Sequence, residues 1–121
     1  MQEGSDALDA RRQRAAKNQS LFREVNERIE DLAGTAMFAT FVCECFLEQC
    51  DQSVSLTLEE YEHIRSSSNL FFVLRGHELP ELEDVVETTE RYVLVRKIGV
   101  GAAVAERLDT RMREARHVER A

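Results

Sequence analysis

The amino-acid sequence predicts an α+β domain, in which a long N-terminal helix packs on a small, mostly antiparallel sheet with a zinc-knuckle-like hairpin. Three observations support this class. Residues 5–33 contain no Gly or Pro, strand-like segments occupy much of residues 37–98, and three cysteines lie close together near one predicted turn. A chain of 121 residues has room for one hydrophobic core. We therefore expect a single domain over residues 1–121.

The N-terminal helix is predicted over residues 5–33, because Gly34 stands where a C-terminal stop belongs. Its second half carries one apolar stripe at 3-4-3 spacing, formed by Phe22, Val25, Ile29 and Leu32. We expect this stripe to pack against the chain's own sheet. The first half is too polar for a continuous seam, so it projects into solvent or contacts another chain. A homodimer formed through this helix is therefore one of the alternatives that the sequence leaves open.

Residues 37–98 are predicted to form the α+β core. Residues 38–43 and 53–58 read as a hairpin, and residues 70–74 and 92–98 as buried strands. Thr57 and Glu60 have the spacing of a capping box that starts a short helix. Residues 81–89 fit either a helix or a strand. Residues 99–121 have a thin apolar face, which predicts a weak helix or a disordered tail.

The pattern Cys43-Glu44-Cys45 followed by Cys50 is the most informative motif in the sequence. On a strand, residues 43 and 45 project from the same face, and the turn that follows brings Cys50 back toward them. Three thiolates are soft ligands, which disfavours Mg²⁺ and Ca²⁺ and favours a structural zinc ion. Buried free thiols and a redox-active cysteine pair are the alternatives.

His77 is the best candidate for a fourth metal ligand. It follows a predicted buried strand, and Gly76 permits a sharp turn that presents the imidazole. His63 lies on the short helix, and His117 lies in the weak C-terminal segment. The sequence therefore predicts a structural zinc site made of Cys43, Cys45, Cys50 and His77, with the identity of the fourth ligand left open.

The charge distribution limits the classes of partner. The formal net charge is −7, and residues 40–90 contain two basic and twelve acidic side chains. This central segment repels phosphate backbones, which argues against nucleic-acid binding. No apolar run is long enough for a membrane span, and no signal peptide is visible. Together with an odd number of cysteines, these features predict a cytoplasmic protein that does not contact a membrane.

Several motifs together resemble a family of small uncharacterised bacterial proteins. The resemblance rests on Phe41-Val42-Cys43-Glu44-Cys45, on Cys50, on Gly76-His77-Glu78, and on a helix motif made of Asn18, Phe22, Arg23, Val25, Asn26 and Glu27. It covers residues 11–98, and Arg75 stands where a proline would be usual. The resemblance implies that the three cysteines and the histidine form one site, but it implies no activity.

The sequence contains no phosphate-binding loop, no His-Glu-x-x-His helix and no Gly-x-Ser-x-Gly elbow. We therefore expect a zinc-stabilised module that binds another protein in a regulatory or adaptor role, rather than an enzyme. A cysteine-based redox switch is the alternative from a different class. A zinc-dependent hydrolase, with Glu44 or Glu78 as general base, is a third interpretation.

Overall fold

The computed structural model describes residues 2–46 and 50–112 and shows three helices and five strands in these two ranges. In chain order they are α1 (Gln2–Ala33), β1 (Phe38–Val42), β2 (Ser53–Thr57), α2 (Leu58–Arg65), β3 (Leu70–Val73), β4 (Glu83–Thr88), β5 (Val93–Lys97) and α3 (Val100–Leu108). This architecture confirms the predicted α+β class with a long N-terminal helix. In the described ranges, no helix combines the length and the apolar character needed to cross a bilayer.

The strands form two small antiparallel sheets rather than one. β1 and β2 make the expected hairpin, with Phe41 opposite Val54. The second sheet has the order β3-β5-β4, so the last strand lies between the other two. Residues 81–89, which fitted two interpretations, contribute β4, whose pairing with β5 contains an irregularity between Val85 and Glu87.

In the second sheet, β3 and β5 are covered on both faces, whereas β4 is largely exposed. One face of β3 and β5 joins the hairpin and α2 in an aromatic core, where Phe41 stacks on Tyr61 with ring centroids 4.5 Å apart. The opposite face packs against cysteines of the candidate site and against α3. Together they form a second hydrophobic cluster, whose buried residues are Cys43, Cys45, Phe71, Val73, Val93, Val95 and Ala105. The candidate site is therefore continuous with a hydrophobic core.

The face that α1 buries differs from the predicted apolar stripe. Phe22 and Ile29 are partly buried, but Val25 is 47% exposed and Leu32 is 88% exposed. The buried face consists of Ala15, Ala16, Gln19, Ser20, Arg23 and Asn26. These polar side chains are accommodated because most of them bond to backbone groups at the ends of strands, as described below. The expectation that the whole stripe packs on the sheet was wrong.

The predicted capping box at the start of α2 is confirmed. The amide of Glu60 donates to the hydroxyl of Thr57, and the amide of Thr57 donates back to the carboxylate of Glu60. After β5, α3 packs on α1, and Gly101 lies close to the carbonyl oxygen of Arg12. The first part of the predicted C-terminal segment is thus a packed helix. The alternative of a disordered tail stays a prediction for residues 113–121, which lie outside the described residues.

Candidate metal centre

The four candidate ligands come from two separate parts of the fold. Cys43 and Cys45 follow β1 directly, and Cys50 lies in the connection to β2. His77 lies in the loop after β3, on the second sheet. The amide of Cys43 donates to the carbonyl of Gln52, which extends the hairpin up to the site. The candidate site therefore spans the junction between the two sheets.

The structure brings all four predicted ligands together. The three Sγ atoms and a ring nitrogen of His77 all lie within 4.8 Å of one another. His77 Nδ1 is 3.6 Å from Cys43 Sγ and also 3.6 Å from Cys50 Sγ. Nδ1 is therefore the ring nitrogen that faces the thiols.

These distances fit a tetrahedral ion. With a metal–sulfur bond of about 2.3 Å and a metal–nitrogen bond of about 2.0–2.1 Å, the sulfur-to-nitrogen edge of a tetrahedron is about 3.6 Å. Both measured separations between His77 Nδ1 and a thiol sulfur equal this edge. Because all four donor atoms also lie within 4.8 Å of one another, the donor set can hold a four-coordinate metal ion.

The loop that carries His77 is held by backbone hydrogen bonds. The amide of Leu74 donates to Cys43 Sγ at 3.2 Å, and the amide of His77 donates to the carbonyl of Leu74 at 2.9 Å. Gly76 has φ +93°, a conformation that favours glycine, and its amide donates to the carboxylate of Glu78 at 2.7 Å. The loop thus presents His77 through a tight turn, as the sequence predicted.

The thiols are held in a protected environment. Cys43 and Cys45 are buried, whereas Cys50 and His77 are partly buried. The hydrogen bond with the Cys45 thiol and burial both raise the pKa of Cys43 above its ordinary value. Burial raises the pKa of Cys50 as well. Three thiolates at this separation repel one another, and a bound cation removes that repulsion.

Glu44, between the first two cysteines, is the residue whose role the sequence did not reveal. Its side chain is fully buried, and its carboxylate accepts from Asn26 Nδ2 at 2.9 Å and from the amide of Phe72 at 3.4 Å. Its own amide donates to the carbonyl of Phe72, and its carbonyl accepts from Gln19 Nε2. Glu44 therefore ties the cysteine segment to both β3 and α1.

Burial has the largest effect on the pKa of Glu44. It raises this pKa to about 7, although the charge of Arg23 and the hydrogen bond from Asn26 lower it. Arg23 is itself buried, donates to the carbonyl oxygens of Ser68 and Leu70, and lies 3.7 Å above the ring of Phe71. A buried polar layer thus connects α1 to the segments that carry the ligands.

The other histidines have different positions. His63 is exposed on α2, near the C-terminal end of that helix, and takes no part in the four-residue cluster. His117 lies outside the described residues. In the described ranges, His77 is the histidine that the fold places beside the cysteines.

Comparison with known proteins adds no further evidence. No protein family, no curated protein and no solved structure matches this chain. Three thiols and one imidazole, partly shielded from water, are suited to holding a soft or borderline cation in a closed site.

Proposed function

We propose that this chain is a small zinc-stabilised module that binds another protein. The single observation that carries the zinc assignment is the convergence of three Sγ atoms and a ring nitrogen of His77 within 4.8 Å of one another. One thiol–imidazole hydrogen bond also spans about 3.6 Å, but it does not require two further thiols beside the same imidazole. This arrangement supports a Cys₃His ligand set of Cys43, Cys45, Cys50 and His77.

Zinc is the metal that suits these donors best. Thiolates select soft or borderline ions, and zinc accepts a tetrahedron of sulfur and nitrogen ligands without a geometric penalty. Mg²⁺ and Ca²⁺ prefer oxygen ligands in larger coordination shells. The cluster of Cys43, Cys45, Cys50 and His77 contributes only sulfur and nitrogen ligands, and these support our proposal of zinc.

The metal would act as a clamp between the two sheets. Cys43, Cys45 and Cys50 belong to the hairpin region, and His77 belongs to the loop after β3. A small domain buries limited apolar area, and a structural zinc ion contributes roughly 10–16 kcal/mol of binding free energy in small zinc domains. Metal binding would thus add to the aromatic packing that docks the hairpin on the second sheet.

A closed site favours binding over catalysis. Four protein ligands leave no open position for a water molecule, which a catalytic zinc normally keeps. The two candidate general bases are also engaged, because Glu44 accepts from Asn26 and Phe72, and Glu78 accepts from Gly76. We therefore favour a regulatory or adaptor module over a zinc-dependent hydrolase as the function of this chain. In this proposal the module acts in the cytoplasm of a bacterium, and its partner is another protein.

A cysteine-based redox switch is the second candidate function, and one observation favours it. Cys50 is less buried than Cys43 and Cys45, so an oxidant meets its sulfur first. A peroxide would oxidise Cys50 to a sulfenic acid and be reduced to water or an alcohol, and attack by a neighbouring thiol would expel a second molecule of water and form a disulfide. Loss of two thiolate ligands would release the metal and weaken the clamp. The peroxide concentration needed to oxidise Cys50 therefore distinguishes a redox switch from a stable zinc module.

Metal analysis of the untagged protein tests the zinc assignment. We expect about one zinc ion per chain, and we expect excess chelator to lower the melting temperature. Cys43→Ser, Cys45→Ser and Cys50→Ser should each weaken metal retention, with His63→Ala as the matched control. A chain that melts at the same temperature with and without chelator, and that retains no zinc, would contradict the proposal.

A further inference from the structure

Three buried polar side chains connect the segments that carry the candidate metal ligands. They are Gln19 of α1, Glu83 of β4 and Lys97 of β5, and each is at most 2% exposed. Lys97 Nζ donates to Glu83 Oε1 at 3.0 Å and also to Gln19 Oε1. A buried ion pair is in itself weak evidence for stability, because desolvation offsets the attraction between the charges. The other hydrogen bonds of these side chains show what the pair holds in place.

Gln19 holds the cysteine segment. Its Nε2 donates at 2.9 Å to the carbonyl of Glu44, the residue between the first two cysteines, and at 3.3 Å to Glu83 Oε1. Its Oε1 accepts from Lys97. An ammonium group only donates and a carbonyl only accepts, so the amide of Gln19 has one orientation that satisfies all its partners. Lys97 therefore fixes the direction in which Gln19 meets the backbone of the cysteine segment.

Glu83 holds the histidine loop. Its Oε2 accepts at 3.0 Å from the amide of Leu79, which lies two residues after His77. The amide of Glu83 donates to the carbonyl of Leu79 at 3.1 Å, so both the side chain and the backbone of Glu83 bind the same loop residue. The other carboxylate oxygen accepts from Lys97 and Gln19. One carboxylate thus connects the histidine loop to the group that holds the cysteine segment.

We propose that Gln19, Lys97 and Glu83 are positioning residues, which hold the two ligand-bearing segments at the separation that the metal requires before the metal binds. This inference rests on the proposed zinc site. None of the three side chains belongs to the ligand cluster, so they act through the backbone of Glu44 and of Leu79. Hydrogen-bonding partners outside the ligand set typically contribute about 10–100-fold to metal affinity.

Gln19→Met and Glu83→Gln test the two contacts separately. Gln19→Met keeps a long side chain on the helix but removes the donor to the Glu44 carbonyl. Glu83→Gln replaces one acceptor oxygen with a donor, so it loses either the Leu79 amide or the Lys97 ammonium. Each variant should raise the dissociation constant for zinc by about tenfold. The measurement is competition with a chromogenic chelator, on protein that circular dichroism shows to be folded.

The visible spectrum of the cobalt-loaded protein separates positioning from a merely structural role. The absorption of Co²⁺ depends on the number and geometry of its ligands, so both variants should change the bands of the folded protein. Ile64→Val is the matched control, because Ile64 belongs to the aromatic core and not to the cluster that contains the cysteines. It should lower the melting temperature and leave the zinc affinity and the cobalt bands unchanged.

The outcomes distinguish this inference from the zinc assignment. A wild type with tetrahedral cobalt bands, together with folded variants that keep both its affinity and its spectrum, would overturn the positioning role alone. An equal change in Ile64→Val would attribute the effect to lost stability and would overturn it as well. A wild type that binds neither zinc nor cobalt would overturn the zinc site and, with it, this inference.

Discussion

Asn26 of α1 pairs with Val42 of β1 in the way that a neighbouring strand would. The amide of Val42 donates to Asn26 Oδ1 at 2.8 Å, and Asn26 Nδ2 donates to the carbonyl of Val42 at 2.9 Å. The same Nδ2 also donates to the carboxylate of Glu44. One buried helix residue therefore satisfies the backbone of β1 next to the first cysteine and holds the residue between the first two cysteines.

We expect Asn26→Ala to lower the free energy of unfolding by about 2 kcal/mol, because it leaves the backbone groups of Val42 and one oxygen of Glu44 without their partner. The measurement is chemical denaturation of the zinc-loaded protein. Gln13→Ala, at an exposed position of the same helix, is the control and should be nearly neutral. Equal stability of the two variants would show that the pairing contributes nothing.

The buried face of α1 explains why the sequence predicted the existence of this helix but not its orientation. Apolar spacing pointed to Val25 and Leu32, yet the helix buries Gln19, Arg23 and Asn26 instead. Those side chains bond to backbone groups at strand ends and loops, and no local pattern shows that such partners will be present. Arg23 and Asn26 did belong to the motif on which the family resemblance rested, which is the one signal that singled them out.

The candidate site was more predictable than the helix packing. Strand alternation and the turn before Cys50 predicted convergence of three thiols, and the turn at Gly76 pointed to His77. The convergence is observed, but Cys43 and Cys45 lie after β1, which ends at Val42, rather than on a strand. The role of Glu44 was not predictable, because a carboxylate next to cysteines suggests either catalysis or solvent exposure. Its actual partners, Asn26 and Phe72, are distant in sequence.

His77→Ala should weaken zinc binding much more than His63→Ala. His77 Nδ1 faces two thiol sulfurs, whereas His63 is exposed on α2. Loss of one of four ligands should lower the affinity at least tenfold, since even the outer partners of metal ligands contribute about 10–100-fold. Competition with a chromogenic chelator measures the difference. Equal affinities in the two variants would remove His77 from the site.

The free energy of unfolding near neutral pH should depend on the ionisation of Glu30. Glu30 and Glu62 both form ion pairs with Arg111. Burial and the Glu62 carboxylate raise the pKa of Glu30 from 4.5 to about 7, so the folded chain holds this proton more tightly than the unfolded chain. The contribution of Glu30 to stability therefore falls as the pH rises from about 4.5 to about 7.

Glu30→Gln removes this titration. Urea denaturation gives the difference in free energy of unfolding between the wild type and Glu30→Gln. This difference should decrease as the pH rises from 5 to 8. Glu59→Gln, at an exposed position of α2, serves as the control. A relative stability that is constant or rises over this range would contradict the predicted direction.

The response to peroxide should separate a stable zinc module from a redox switch. In a closed Cys₃His site the sulfurs are coordinated, and Cys43 and Cys45 are buried. Reactivity toward oxidants follows thiolate exposure, so zinc should be released only at peroxide concentrations far above the micromolar range. The measurement is zinc release, followed with a chromogenic chelator during peroxide titration at neutral pH in degassed buffer.

Alkylation and mass mapping of the wild type, quenched early in the peroxide titration, identify the sulfur through which any oxidation begins. Cys50 is only partly buried, so a switch should show oxidation at Cys50 before Cys43 and Cys45. Complete release from the wild type within minutes at micromolar peroxide, reversed by a thiol reductant and added zinc, would favour the switch over the module. Hydrolysis of generic ester or phosphate substrates in proportion to zinc content would instead favour an enzyme, because a closed site has no position for the attacking water.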